Sequence, residues 1–410
     1  MPTKNIIRQL LLLRYKYISQ KNFVYLLSVA VGLLTGIAAV TLKNFTYTIQ
    51  SILEKGIVFS HNQLYFVLPV IGLFLVFVLT KYMFKNGITP SIPPFIKRAI
   101  PSLLYSLLRQ KGLLSYKLIY HPLILAPLTV GFGGSVGLLG PAITSGSSLS
   151  SNLSRILHVD KKTRTLLIAC ATAAAVASMF KSPIAAIVLA VEVFSLDLTF
   201  TALVPLLIAS ISSVLTSYFF MGQEVLFNFD VVDKFSLRDT PFYIVLGIGT
   251  GVASLYFTKI YFAIYAFFDR FNSRFVKLLI GGVVIGVLLY FIPPLYGEGL
   301  EFTNNLLHGE TLAAIGATPF DDHIDNIWIV IGLLVGITVF KAVAMTITFA
   351  AGGVGGVIIP SLVMGSTLGN VVAKVINNLG LGFNVSEANF TLIGMAGLIA
   401  GVIQVPLTAI

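Results

Sequence analysis

The sequence predicts an all-α polytopic membrane protein made of two internal repeats, with many tilted and half-spanning helices. Three observations predict it. First, 56% of the 410 residues are hydrophobic and only 10% charged, against roughly 25% charged in a soluble domain. Second, the 36 glycines and 17 prolines are spread through the apolar runs, which a bilayer tolerates where broken backbone lines a protein-buried cavity. Third, two glycine-rich breaks stand at matching places in the two halves. One is Gly133-Gly134-Ser135-Val136-Gly137-Leu138-Leu139-Gly140-Pro141, the other Gly352-Gly353-Val354-Gly355-Gly356-Val357-Ile358-Ile359-Pro360. The short alternating segments of a β-barrel are absent from the sequence.

The elements follow in order. Lys4, Arg8, Arg14, Lys16 and Lys21 precede the first long apolar run. They mark residues 1–24 as a basic segment and predict a cytoplasmic N-terminus in the cell membrane. The run from about Phe23 is too long for a cleaved signal peptide, and no small-residue cleavage site follows it. Helices are expected over 22–54, 63–84, 101–109, 116–132, 142–157, 162–180, 183–194 and 198–221, then over 241–269, 274–292, 298–307, 326–350, 357–378, 387–401 and 405–410. Several are shorter than the about 20 residues that ~30 Å of hydrocarbon requires, as expected of half-crossing helices that meet in the middle. Net charge is +11, but no basic stripe with interleaved aromatics sits on a soluble segment, so nucleic acid is not an expected partner. Cys170 is the only cysteine, which excludes an intrachain disulfide and a thiolate metal site. No cofactor is expected.

Internal similarity appears three times in the same order. Gly32-Leu33-Leu34-Thr35-Gly36-Ile37-Ala38 pairs with Gly247-Ile248-Gly249-Thr250-Gly251-Val252-Ala253, the two glycine-rich breaks pair, and Ala171–Ile187 pairs with Gly394–Ile410, at offsets of 215, 219 and 223. The expected division is a first repeat over 25–222, a linker over 223–240 and a second repeat over 241–410. The second repeat stops where its counterpart is in mid-helix, so it is expected to be truncated.

Paired breaks of this kind point to a substrate site near the bilayer midplane. The free N–H groups and positive dipole end of a helix N-terminus can hold an anion there without a charged side chain. At these residues the chain resembles the CLC family of chloride channels and chloride/proton exchangers, of the prokaryotic type without cytoplasmic regulatory domains in this chain. The resemblance implies two inverted repeats, a homodimer with one anion pore in each subunit, and three loop motifs. The first motif falls at Gly87, Ile88, Thr89 and Pro90, the second at Gly137, Leu138, Leu139, Gly140 and Pro141, the third at Gly356, Val357, Ile358 and Pro360.

The departures bear on mechanism. Leu139 stands at the family's gating glutamate, Gly87 at its anion-coordinating serine, Ile358 at a phenylalanine and Val193 at the exchangers' internal proton glutamate. Leucine and valine do not titrate, so the expected activity is passive movement of chloride or a similar small anion, uncoupled from protons. Leu139 could alternatively plug the path by dewetting. Two further alternatives stay open: an exchanger using another carboxylate such as Glu192, and a non-conducting homologue. Lys341 matches a lysine frequent in the family, and either raises positive potential toward the pore or snorkels to the interface. Asp321-Asp322-His323-Ile324-Asp325 reads as a solvated loop rather than a metal site. Gly133-Gly134-Ser135-Val136-Gly137 also fits a serine-hydrolase elbow, but that enzyme needs a histidine at Ser135, and the chain is expected not to be an enzyme.

Overall fold

The computed structural model describes residues 19–57, 66–83, 112–197, 199–223, 225–227, 236–315, 326–379 and 382–410. The first loop motif, Gly87 to Pro90, lies outside the described residues, as do the helix expected over 101–109, most of the basic N-terminal segment and Asp321–Asp325. The described helices are α1 (Gln20–Ile57), α2 (Leu68–Met83), α3 (Lys117–Gly131), α4 (Leu139–Ile156), α5 (Lys161–Phe180), α6 (Pro183–Phe194) and α7 (Phe200–Met221). They continue with α8 (Thr240–Asp269), α9 (Arg274–Phe291), α10 (Leu300–Leu307), α11 (Thr311–Ile315), α12 (Ile327–Ala350), α13 (Ile358–Asn378), α14 (Glu387–Ile403) and α15 (Pro406–Ala409). Among them, seven are long and apolar enough to cross a bilayer: α1, α5, α7, α8, α9, α12 and α13. Side chains such as Phe219, Ile248 and Leu255 are 82%, 65% and 64% exposed, a surface suited to lipid rather than water. The protein is a multi-pass membrane protein.

Two differences from the expected helices have local causes. Helix α4 begins at Leu139 rather than 142, because Pro141 falls in the first turn, where its missing N–H costs nothing. Helix α10 begins at Leu300 rather than 298, because Gly297 and Gly299 take φ of +54° and +81°, and the left-handed region does not propagate a helix. Glu298 is thereby left on a turn. The one-turn helix α11 was not expected.

The residues cluster into two compact units interleaved along the chain, one holding 1–43, 86–124 and 139–225, the other 44–85, 125–138 and 226–410. These cut across the expected repeats, since compactness and internal homology are different properties. In the first unit α5 is alanine-rich, with Ala169, Ala171 and Ala173 to Ala175 wholly buried. The hydroxyls of Ser213 and Ser217 on α7 donate to the α5 carbonyls of Ala174 and Ser178 at 2.7 and 3.0 Å. Gly32 and Gly36 bring α1 against Ala209, Ser212, Ser213 and Thr216 of α7, the small-residue packing expected in lipid.

In the second unit the core is formed by Leu289, Leu295, Leu306 and Leu334, all wholly buried. Gly369 on α13 leaves no space for a Cβ beside the Phe390 carbonyl of α14, and Gly394 none beside the Gly365 carbonyl. Lys374 and Glu387 join the same pair of helices by a 2.7 Å ion pair.

Candidate functional site

The candidate site lies in the second unit, where residues 133–138 of the first break meet the second break. The breaks share one construction, in a register of 219 residues. Helix α3 ends at Gly131 and α12 at Ala350. Gly133 and Gly352 then take φ of +92° and +104°, which glycine adopts without the Cβ penalty. The N–H of Gly134 donates to the Thr129 carbonyl at 2.8 Å, and that of Gly353 to the Thr348 carbonyl at 2.9 Å.

The breaks also bond each other crosswise. The N–H of Ser135 donates to the Thr348 hydroxyl at 3.2 Å, and that of Val354 to the Thr129 hydroxyl at 3.1 Å. Gly137 and Gly356 form an antiparallel bridge, the N–H of each donating to the other's carbonyl at 3.0 and 2.6 Å. Equivalent residues of the two breaks thus exchange equivalent bonds. Each break then feeds a helix that starts two residues before a proline, α4 at Leu139 and α13 at Ile358.

Prolines 141 and 360 carry no N–H, so the donors at these helix ends are those of the residues just before them. Among the described residues, the N–H groups of Leu139 and Gly140, and of Val357, Ile358 and Ile359, meet no acceptor. Leu138 and Leu139 are 1% and 2% exposed. Helix-end donors withdrawn from water are the groups that accept an anion most readily.

One feature breaks the symmetry. The segment Pro293–Gly299 caps the first break alone. Ser135 donates its hydroxyl to the Leu295 carbonyl at 2.6 Å, a bond that Val354 has no side chain to copy. The Leu138 N–H donates to Glu298 Oε1 at 2.7 Å, a charge-assisted bond by its length and partner. Lys341 is wholly buried and its ammonium donates to the carbonyls of Leu295 and Gly297 at 3.2 and 3.0 Å. It therefore does not snorkel, and its amine stays beside the Leu295 and Gly297 carbonyls. The Tyr296 hydroxyl donates to the Gly131 carbonyl.

Of the expected site residues, Gly137, Leu138, Gly356, Val357, Ile358 and Pro360 are brought together here. Leu139, Gly140 and Pro141 continue the first break as the opening turn of α4. Glu192 stands in the last turn of α6, in the other unit, half-buried, with its backbone carbonyl accepting the Ser195 N–H. Glu298 escaped the sequence reading because it looked like the first residue of a helix. A carboxylate flanked by glycines, four residues after Pro294, was the signal to follow. Ser135 gives its proton to a backbone carbonyl rather than to a base, which removes the hydrolase geometry.

Known proteins are similar to this chain in sequence and in fold. A profile described as "Voltage gated chloride channel" matches residues 88–410. An uncharacterized protein of Methanocaldococcus jannaschii is 27% identical over 286 residues, 69% of this chain and 66% of that protein. Chloride channel protein CLC-f of Arabidopsis thaliana is 28% identical over 306 residues, 70% of this chain and 37% of that protein. The chain thus spans two-thirds or less of the length of these curated relatives. The crystal structure of a slow cyanobacterial Cl-/H+ antiporter superposes with a TM-score of 0.75 at 21% identity, over 96% of this chain and 88% of that one.

Proposed function

The chain belongs to the voltage gated chloride channel family, and we propose that it passes a small inorganic anion, chloride first, across the membrane by a passive route. The observation that carries this reading is the pair of bonded glycine breaks, whose helix-end N–H groups are buried and largely without acceptors. Fixed backbone donors replace part of an anion's hydration without binding it too tightly to leave. The buried Lys341 amine donates to two carbonyls of the loop beside the first break.

Uncoupled movement follows from side-chain chemistry. Leu139 and Val193 stand where the exchangers that the chain resembles carry glutamates, and neither can bind or release a proton. These two positions therefore offer no stepwise proton route. The chain is not an enzyme, since the family it belongs to is one of channels and transporters.

Chloride efflux from liposomes containing the protein, with external pH followed in the same vesicles, tests this. The reading expects chloride efflux without opposing proton movement. Efflux that drives protons uphill would replace the passive route by exchange, and absence of efflux for every small anion would remove the transport reading.

A further inference from the structure

We propose that Thr129 and Thr348 are positioning residues that work as one unit: each hydroxyl holds the opposite glycine-rich break, and together they set which small anion the helix ends of the breaks prefer. This rests on the reading that the breaks hold the anion.

The two threonines occupy equivalent places 219 residues apart, Thr129 in the last turn of α3 and Thr348 in the last turn of α12. Both are buried, and each makes three bonds of the same kind. Its hydroxyl donates to the carbonyl four residues back, Leu125 for Thr129 and Ala344 for Thr348, at 2.8 Å in both. Its backbone carbonyl accepts the N–H of the glycine five residues on, Gly134 or Gly353. Its hydroxyl oxygen accepts an N–H of the opposite break, from Val354 at Thr129 and from Ser135 at Thr348.

Counting protons fixes the direction of these bonds. A threonine hydroxyl carries one proton, and here it is committed to a carbonyl of its own helix. The oxygen therefore faces the other break as an acceptor only, and an N–H is what it meets. The Gly137–Gly356 bridge that also joins the breaks is made by backbone alone. The threonine bonds depend on the side chain, so they are the part of the joint that the sequence can tune.

The methyl groups have a separate task. A Cβ at Gly134 would stand 2.6 Å from Thr129 Cγ2 and 3.1 Å from Thr348 Cγ2. One at Gly353 would meet the same two methyls. Both methyls thus lie against both glycines, and the four residues form one packed group between the ends of α3 and α12. A β-branched side chain is stiff at χ1, so fixing the hydroxyl fixes the methyl as well.

Selectivity follows from that rigidity. Backbone donors favour chloride over a more weakly hydrated anion only while they keep their places, because they must replace the water that chloride gives up. Loss of one threonine hydroxyl leaves the Ser135 or Val354 N–H without its acceptor. It also unties one break from the helix that leads into the other. The loosened site then discriminates by dehydration cost, which favours nitrate.

The test uses two substitutions at each position. Thr129→Val and Thr348→Val keep the shape and the methyl but remove the hydroxyl. Thr129→Ser and Thr348→Ser keep the hydroxyl and remove the methyl. Chloride and nitrate flux are measured in the same liposomes, and their ratio does not depend on how much of the protein is folded. The concentrations of potassium chloride and potassium nitrate that protect against thermal unfolding in detergent, relative to potassium gluconate, give a binding ratio without transport.

Either Val variant is expected to lower the chloride-to-nitrate ratio by about two- to tenfold, the effect of losing one buried hydrogen bond. The Ser variants are expected to hold the ratio within about twofold of wild type. A merely structural role lowers total flux and the unfolding temperature of the Val variants at an unchanged ratio, and that result would overturn the inference. An equal drop in the Ser variants would also overturn it, by assigning the effect to the methyls. If wild type moves neither anion, the passage reading fails and the binding ratio decides. A lower ratio in the Val variants then supports the threonine role, while an unchanged ratio, or no protection of wild type by either anion, contradicts it. If the Val variants do not fold, hydrogen exchange of wild type decides. Added chloride is expected to slow exchange in 133–138 and 352–358 together, and slowing in one segment alone, or in neither, contradicts a joint unit.

Discussion

Gly353 has no room for a methyl group. A Cβ there would stand 2.7 and 2.8 Å from Thr348 Cγ2 and the Thr348 carbonyl, and 2.9 Å from Thr129 Cγ2. The carbonyl belongs to the end of α12, and both threonines hold the crosswise bonds of the breaks, so none of the three can retreat freely. Gly353→Ala is expected to destabilise by about 1–3 kcal/mol, the usual range for overpacking. Gly332, inside α12 with nothing within 4 Å of a Cβ, is the control. There alanine is expected to be neutral or to stabilise by up to about 1 kcal/mol, because glycine is the poorer helix former. Thermal unfolding of both variants in detergent, beside wild type, reads the contrast. Equal losses in the two would mean that the breaks are less tightly packed than these distances imply.

At the scale of elements, helix ends carry much of the specification. Asp160 caps α5 by accepting the Thr163 N–H at 3.1 Å. Partial burial pushes the Asp160 carboxyl up, but the hydrogen bonds from Thr163 and neighbouring backbone outweigh it and hold it below the ordinary Asp value. A carboxylate with a depressed folded pKa stabilises the fold above its unfolded value, near pH 4, and loses that contribution as pH falls through the folded value. Asp160→Ala is therefore expected to cost about 1 kcal/mol at neutral pH. Asp160→Asn keeps the cap and loses its acid-dependent part, which thermal scans between pH 3 and 7 would resolve. The joints after α5 and α14 repeat one design. Lys181 and Gln404 take φ of +53° and +60°, and Pro183 and Pro406 open the next helices. These joints were legible in sequence because proline opens helices and the two segments align. The turn at Glu298 was not, because nothing local distinguishes a helix start from a glycine-flanked turn whose carboxylate is held by Leu138, far away along the chain.

For the whole molecule, the all-helical membrane fold could be read from composition and the paired breaks, since burial in lipid imposes those features on the chain directly. The crosswise bonding of the breaks could not, because it depends on which residues 213 and 225 positions apart come into contact. The same holds for Lys341, whose burial beside the Leu295 and Gly297 carbonyls is set by tertiary packing. The central claim is that backbone N–H groups at the two breaks hold a small anion. Anomalous scattering from bromide-soaked crystals of the protein tests it most directly. The account predicts a bromide within about 3.5 Å of the N–H groups of Leu139 and Gly140, or of those of Val357 and Ile358. Bromide bound elsewhere, with both breaks bare at saturating concentration, would contradict it.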